Sequence, residues 1–571
     1  MPQAVENISS VAELTERLHD LERRVAVLEG HQENPAPAPS GLPVPALDRP
    51  RPPATWRGFP PVETPSGVVP VLGKAVLGIA GAYLLRALAE SSRVPKLPVL
   101  VIAILYACFW MVWAVRTQTA SRFASGTYAV TSALILSPLL WESTVRFQVL
   151  SPAFAAVVLV VFVVLAMVLA WQRDLQLIPW VATLATVTTA IALIIATREL
   201  VPLTAALLAV ALATEIAACL GHRLSLRAFP GLAADFAVWL LVYVMTSDPL
   251  PEGYHAAAPL TLTVLCLTLV GVYGGSIGIR SLVLRHRFTI LEIGQGVLAF
   301  LLAFYGTLRV TSNAAAPALG SLCLLFSAAC YWGALSRFSQ DADARNRRVY
   351  ATWAAALFLA GSVLLFSANL QIVFLCVAAI AAVFVYTGTR KLSLGMHASV
   401  YLAAAATVSP LPAYAVNALA GSVPPAPSWE IWLVGISAAI CYAIGARVCE
   451  DQVKRRLLWV IPAVLVGFTA AALVVVVIAG AVAARMELAA AALSVIRTVV
   501  NCALALSLGF LGSRWRRVEL GWVAYTALAF GTLKLLFEDL RFGNATSMVV
   551  SLLFYGLILI LLPRLTKRMQ S

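Results

Sequence analysis

Charged side chains inside long apolar runs are the residues of this sequence best placed to do chemistry. Arg497 lies near the middle of a run over 488–511, Glu215 lies about two-thirds along another, and Glu292 lies one turn inside a third. An ionisable side chain at membrane depth is costly, so it must pair, reach water or serve a substrate. We expect Arg497 to pair with a carboxylate of another helix. The candidates are Glu215, the most deeply placed and the first to test, then Glu292, Glu538 and Asp539.

The remaining buried-charge candidates are basic residues near the two ends of the apolar region. Lys534 precedes Glu538 by four residues, so the two can pair along one helix face. Lys74 lies in the first apolar run and Arg86 closes it. Two interpretations stay open for all these residues: they contact a substrate, or they fix helix order and extend to the membrane interface.

We find no enzyme or metal-binding motif beside these buried charges. The nine cysteines show no CxxC spacing and lie mostly inside apolar runs, which is typical of small core residues. The HExxH and GxSxG motifs are lacking as well. The polar residues Asp248, Glu252 and His255 share one Pro-containing loop, where solvation is the simplest interpretation. We therefore predict no catalytic residue, no metal site and no cofactor.

The elements that must position these charges are membrane-spanning helices. The chain has 571 residues, of which 61% are hydrophobic and only 12% charged. Its apolar runs have the ~17–25 residues that cross a bilayer at 1.5 Å per residue. The sequence predicts an all-α fold, a polytopic transmembrane helical bundle of about 18 helices over 69–562. The formal net charge of +14 comes from short loops between the runs, so it does not indicate nucleic acid as a partner.

The distribution of Lys and Arg predicts the orientation of the bundle. These residues concentrate in alternate loops and in a basic tail over 563–571, a bias typical of the cytoplasmic side. Both termini are therefore predicted to be cytoplasmic, with an even number of spans. The N-terminus lacks the pattern of a cleavable signal peptide.

Four glycines within one apolar run, Gly271, Gly274, Gly275 and Gly278, form two overlapping GxxxG patterns. Such a pattern usually lets two helix backbones approach closely. We therefore expect this face to lie against a neighbouring helix.

A short coiled coil is predicted over 1–30, ahead of the membrane domain. Ser10 and Glu13 form a capping box, and Gly30 ends the helix. Arg and Glu alternate at the flanking heptad positions, which favours a parallel homo-oligomer over a lone amphipathic helix. A Pro-rich linker over 31–68 follows, extended rather than packed. The apolar seam of the coil consists of Val11, Leu14, Leu18, Leu21, Val25 and Leu28.

Two stretches carry a resemblance to a known family. They are GKAVLGIAGAYLLRALAE, starting at Gly73, and LKLLFEDL, starting at Leu533, the latter followed by a last span and the basic tail. Together with the coiled coil and linker, they resemble a bacterial family of many-spanning membrane proteins of unknown function. Family members usually have Lys-Tyr where this chain has Arg86-Ala87. The resemblance implies a bacterial inner membrane and implies no activity.

Three function classes are compatible with this organisation. Many helices with buried charges of both signs favour transport or translocation of a small or lipophilic substrate within the bundle. A non-catalytic scaffold that oligomerises through the coiled coil is the second class. An integral-membrane transferase acting through the loop with Asp248 is the third. The lipid bilayer is a partner in every case.

Overall fold

A computed structural model describes residues 65–90, 95–117, 122–171, 176–221, 227–337, 344–448, 456–485, 489–539 and 545–567. The predicted coiled coil and nearly all of the linker lie outside the described residues. The described chain forms 19 α-helices. They are α1 (Pro65–Glu90), α2 (Lys96–Thr117), α3 (Arg122–Trp141), α4 (Pro152–Trp171), α5 (Leu177–Thr197), α6 (Leu200–Cys219), α7 (Ala228–Met245), α8 (Pro259–Gly278), α9 (Ile290–Val310), α10 (Ala316–Trp332), α11 (Ala344–Leu365), α12 (Ala368–Thr389), α13 (Leu392–Val408), α14 (Leu411–Ala420), α15 (Trp429–Val448), α16 (Val460–Ala483), α17 (Ala490–Arg514), α18 (Val518–Lys534) and α19 (Ala545–Lys567).

The prediction of an all-α, many-spanning protein is confirmed. Seventeen helices are long and apolar enough to cross a membrane, and α13 with α14 forms a further pair that passes the same test together. Helices suit this environment because they satisfy every interior backbone N–H and C=O group within the segment.

The break between α13 and α14 follows from local sequence. Pro410 lacks an N–H group and forces the residue before it out of the helical region. Ser409 accordingly ends α13 in an extended conformation, with φ −77° and ψ 161°. Its hydroxyl oxygen accepts a hydrogen bond from the Leu411 N–H at 3.3 Å. The two helices meet at 70°, so the short α14 turns away from the direction of α13.

Two larger hydrophobic cores divide the bundle between its N-terminal and C-terminal helices. One core runs through α2–α9, and the other through α11–α16, with a smaller core among α16–α19. A small cluster joins the two sides: Tyr350 of α11 packs on Phe288, and its hydroxyl lies 2.7 Å from the Ser281 hydroxyl. The Asn346 side chain stabilises the same contact, because it accepts a hydrogen bond from the Phe288 N–H at 3.1 Å.

Four helices end in a π turn, which inserts an extra residue and changes the side-chain register. These turns are Glu142–Arg146 after α3, Ile279–Val283 after α8, Gly333–Arg337 after α10 and Leu535–Asp539 after α18. Three of them carry a charged residue of the clusters below, namely Glu142, Arg280 and Glu538. The change of register in the π turn therefore sets the direction in which these three side chains point.

The expected close packing of the GxxxG glycines is wrong within the described chain. A Cβ atom added at Gly271, Gly274, Gly275 or Gly278 would meet no atom of another described residue within 4 Å. This face of α8 is open because the neighbouring helices pack on its other side, around Leu265, Cys266, Leu269 and Tyr273.

Candidate functional site

The best-defined buried charge is Arg497 of α17, a residue that is only 2% exposed. Its Nε donates to the Ala418 carbonyl at 2.8 Å, and Nη1 donates to Glu538 Oε1 at 2.6 Å. Nη2 donates to the carbonyls of Asn417, at 3.1 Å, and Gly421. One guanidinium therefore contacts a carboxylate and three backbone oxygens.

The three carbonyls belong to the C-terminal end of α14. The last carbonyls of a helix have no partner within it and carry the negative end of the helix dipole. The 70° bend at Pro410 turns this end toward α17, where Arg497 caps it. The guanidinium has a planar fork of donors, so it can bind several carbonyls and a carboxylate at once.

The structure places Arg497 nearer a helix end than expected, and it pairs Arg497 with one of the four candidate carboxylates. Helix α17 extends from Ala490 to Arg514, so Arg497 is its eighth residue and lies roughly 10 Å from the N-terminal end, not at the middle. Its carboxylate partner is Glu538, while Glu215 instead accepts a hydrogen bond from the Ser276 hydroxyl. Sequence order does not reveal helix neighbours, so it could not select between these carboxylates.

Lys534 completes the same cluster from α18. Its Nζ donates to the Ser494 carbonyl at 2.7 Å and to the Thr498 hydroxyl at 2.6 Å, and lies 3.9 Å from Glu538 Oε2. The predicted Lys534–Glu538 pairing along one helix is therefore present. The side chain of Asp539 lies outside the described residues. These hydrogen bonds join α14, α17 and α18. We call such a cluster locked, because its charged groups hold the helices in place.

Glu292 forms a second locked cluster at the start of α9. Its carboxylate accepts from Arg227 Nη2 at 2.5 Å and from Arg280 Nη1, so one carboxylate faces two guanidinium groups. It also accepts from the Thr289 N–H at 2.8 Å, while the Thr289 hydroxyl accepts from the Glu292 N–H. This capping box fixes the first turn of α9.

A different arrangement surrounds the carboxylates of α6 and α7. Glu215 of α6 accepts from the Ser276 hydroxyl of α8. Asp235 of α7 accepts from Gln295 Nε2 of α9 at 2.6 Å through Oδ2. Its other oxygen, Oδ1, is buried and has no hydrogen-bond partner. Asp235 was missed in the sequence, although a carboxylate inside the run over 232–247 was a visible signal of the same kind as Glu215.

Basic and acidic residues also meet at the C-terminal end of α1. Arg86 pairs with Glu142 at 2.8 Å and with Glu90 at 3.4 Å, and Arg146 pairs with Glu90 at 3.1 Å. These side chains are partly exposed. A small cavity of about 30 Å³ lies beside them, lined on its polar side by Arg86, Glu142 and Lys96.

A larger groove of about 490 Å³ follows the N-terminal half of α1. Its walls are mostly apolar side chains of α1, α3 and the first residue of α5, together with Thr127 and Thr131, and Arg122 stands at one end. Lining residues such as Val76 (65% exposed) and Leu134 (54% exposed) show that the groove opens at the surface of the bundle. Only 11% of the α1 span is buried, against 61% for α3. Lys74 is exposed on the opposite face of α1.

The loop considered for a transferase is bound to the corner between α5 and α6. Arg198 Nη1 donates to the Glu252 carbonyl at 2.6 Å, and His255 Nδ1 lies 3.7 Å from Glu199 Oε1. Asp248 is exposed. These contacts position the loop and assemble no catalytic arrangement of its side chains.

Two further buried titratable residues were not singled out by sequence. His397 of α13 lies 2.7 Å, through Nδ1, from the Tyr331 hydroxyl, which lies 2.5 Å from the Tyr401 hydroxyl. Glu519, the second residue of α18, is fully buried and accepts from the Tyr442 hydroxyl at 3.4 Å. Both contacts join α-helices that are distant in the chain.

Comparison with known protein families, curated proteins and solved structures finds no match to this chain. The fold and the clusters define a multi-pass α-helical membrane protein. The resemblance to the bacterial family stays a prediction.

Proposed function

We propose that this protein translocates an anionic, lipophilic substrate across a membrane, with the groove along α1 as the binding site. The single observation that carries the proposal is this groove of about 490 Å³, which opens at the surface of the bundle and is lined mostly by apolar side chains, with Arg122 at one end. Its volume is within the ~300–1,000 Å³ typical of small-molecule sites. In a bilayer, an apolar groove that opens sideways faces lipid chains.

The charges near the groove favour an anionic amphiphile. Arg122 stands at one end, and the apolar wall from Arg122 to Leu134 extends roughly 18 Å along α3 at 1.5 Å per residue. An acyl chain can lie along this wall while an anionic headgroup pairs with the guanidinium of Arg122. The second group of basic residues, with Arg86, lies at the C-terminal end of α1, where a translocated headgroup would arrive.

The test is lipid translocation in liposomes that contain the purified protein. Fluorescent phosphatidylglycerol and phosphatidylcholine analogues are placed in the inner leaflet, and their arrival outside is followed with a membrane-impermeant quencher. Val130→Trp fills the groove and should abolish protein-dependent translocation. Val157→Trp is the matched control, since Val157 lies on α4 outside the groove and is 58% exposed, against 42% for Val130.

Arg122→Gln separates the headgroup contact from the groove itself. It should slow phosphatidylglycerol while leaving any phosphatidylcholine movement unchanged. Wild-type protein that moves neither lipid faster than empty liposomes, or a Val130→Trp variant as active as Val157→Trp, contradicts the proposal.

A membrane scaffold is the second candidate, favoured by the four hydrogen bonds of Arg497. A guanidinium held by four acceptors makes the C-terminal helices a rigid unit, which a scaffold needs and a moving gate does not. Self-association through the coiled coil belongs to this candidate. Leu21→Pro should then abolish cross-linking between N-terminal segments of neighbouring chains; unchanged cross-linking excludes the seam as the contact.

We also propose that both termini face the cytoplasm of a bacterium and that the membrane is the inner one. The loop distribution of Lys and Arg supports this orientation. If the bent α13–α14 pair crosses the membrane as one span, the described helices make eighteen spans, an even number that supports this orientation. Reporters fused after Gln340 and after Met569 should be cytoplasmic, and one fused after Pro251 should be outside. A cytoplasmic signal at Pro251 contradicts the proposal.

A further inference from the structure

We propose that Asp235 is a proton-binding group of the membrane domain, which takes up and releases one proton within the bundle. The geometry behind this assignment is an incomplete hydrogen-bond set. Asp235 is the eighth residue of α7 and is only 3% exposed. Gln295 donates a hydrogen bond to Oδ2, while Oδ1 is buried and has no hydrogen-bond partner. The proposal is independent of the groove, because it concerns other helices and needs no lipid.

An ionised carboxylate is poorly suited to this position. A buried charge without a partner normally becomes neutral, because desolvation penalises the charged form. Among the residues the structure describes, no Lys, Arg or His nitrogen lies within 4 Å of Asp235. The basic residue at the start of α7, Arg227, donates to Glu292 instead. A proton on Asp235 neutralises the group and removes this cost.

The groups around the carboxyl favour a proton over a metal cation. Gln295 presents its amide nitrogen, a donor, at 2.6 Å, and a donor repels a metal ion placed on that side. A metal cation requires several oxygen ligands, whereas a proton requires one. The reaction is the addition of one proton to the carboxylate, with no other bond formed or broken.

Gly231, one turn before Asp235, creates the space for this pocket. A Cβ atom there would lie 2.8 Å from the Tyr273 hydroxyl oxygen and 3.3 Å from the Gln295 amide carbon. The glycine therefore lets both polar groups approach α7. When Asp235 releases its proton, the Tyr273 hydroxyl is the nearby donor that can turn toward the carboxylate.

Other titratable groups surround the site, and the test must separate them from Asp235. Tyr273 lies close enough to Asp235, Glu215 and Arg227 to interact electrostatically with all three. Helix α5 carries no titratable side chain between Leu177 and Thr197. The titratable groups on the other helices packed against α7 are Glu215 and Cys219 of α6, Cys266 and Tyr273 of α8, and Glu292, Tyr305 and Arg309 of α9. Arg227 directly precedes α7, and Arg280 lies in the turn that follows α8.

The experiment is infrared spectroscopy of the full-length protein in lipid nanodiscs, titrated from mildly acidic to alkaline pH. The wild-type protein should show a protonated-carboxyl C=O band that disappears on alkalinisation and that Asp235→Asn lacks. Asp248→Asn, which removes an exposed loop carboxyl, should retain the band. A band that Asp235→Asn retains, or one that persists at every pH, overturns the proposal. So does loss of the band on adding Na⁺ at constant pH, which would indicate a metal cation.

A second variant keeps the carboxyl in place. Gly231→Ala should push the Tyr273 hydroxyl and the Gln295 amide away from α7, and should shift the pH at which the band disappears. An unchanged midpoint in a folded Gly231→Ala variant overturns the assignment of the proton to this pocket. The readout is spectroscopic, so failure of lipid translocation does not affect it.

Discussion

Arg497 and Asp235 occupy matched positions in the two sides of the bundle, yet their surroundings differ. Each is the eighth residue of its helix and is at most 3% exposed. Arg497 contacts four acceptors, three of them at the end of α14. Asp235 accepts from one donor and keeps a buried oxygen without a partner.

The difference separates a charged residue that holds helices together from a carboxyl group that can bind a proton. A buried guanidinium that donates to a carboxylate and three carbonyls holds its neighbours in place and has little capacity left for a ligand. A buried carboxyl with a vacant oxygen can instead gain a proton with little rearrangement. Depth in the membrane alone, the criterion available from sequence, does not distinguish the two cases.

The largest expected effect comes from removing the guanidinium of Arg497. Arg497→Gln leaves Glu538 and the last carbonyls of α14 buried without their donor, and breaking a buried pair costs about 3–5 kcal/mol. The free energy of unfolding in detergent should fall by that amount. Arg485→Gln, at an exposed basic residue before α17, is the control and should change it by less than about 0.5 kcal/mol. If Arg497→Gln lowered the free energy of unfolding by less than about 0.5 kcal/mol, Arg497 would not be a structural charge and the contrast with Asp235 would fail.

A double-mutant cycle sharpens the assignment of the partner. Arg497→Gln and Glu538→Gln should couple by about 1 kcal/mol or more, because the two side chains are in contact at 2.6 Å. Arg497→Gln and Glu215→Gln should be additive within about 0.5 kcal/mol. Coupling with Glu215 in place of Glu538 would show that the helices are arranged differently.

Glu292 should give an intermediate effect, because it is locked like Arg497 but lies near a helix end. Glu292→Gln keeps the size of the side chain and weakens two charge-assisted hydrogen bonds with Arg227 and Arg280. We expect a loss of about 1–3 kcal/mol in the free energy of unfolding. Glu252→Gln in the exposed loop is the control. A Glu292→Gln variant as stable as this control would contradict the proposed lock.

The smallest effect is expected at Lys74, a charged residue of α1 with an exposed side chain. Lys74→Gln should change the free energy of unfolding by no more than about 0.5 kcal/mol, because its ammonium group can extend to the interface. Thermal unfolding beside Arg497→Gln measures this directly. A loss as large as that of Arg497→Gln would mean that exposure does not separate the two classes of charge.

The many-spanning helical fold could be predicted from the sequence because span length and hydropathy are local properties. The pairing of Lys534 with Glu538 was equally accessible, since the two residues are one turn apart. The partner of Arg497 was not, because its acceptors on α14 are almost eighty residues away and depend on the bend at Pro410. The vacant oxygen of Asp235 depends on how Gln295 and Tyr273 approach Gly231 from two other helices, which spacing along the chain does not encode.

The most direct test of this contrast is thermal unfolding of Arg497→Gln and Asp235→Asn side by side, in one detergent, from mildly acidic to alkaline pH. If the folded protein favours the protonated form of Asp235, its stabilising contribution is present at low pH and lost as the pH rises. We expect Arg497→Gln to unfold at a temperature well below that of the wild type at every pH. We expect the unfolding temperature of Asp235→Asn to match that of the wild type in acid and to exceed it in alkali. A fall in Asp235→Asn as large as that of Arg497→Gln at every pH would contradict the account, because Asp235 would then be another structural charge.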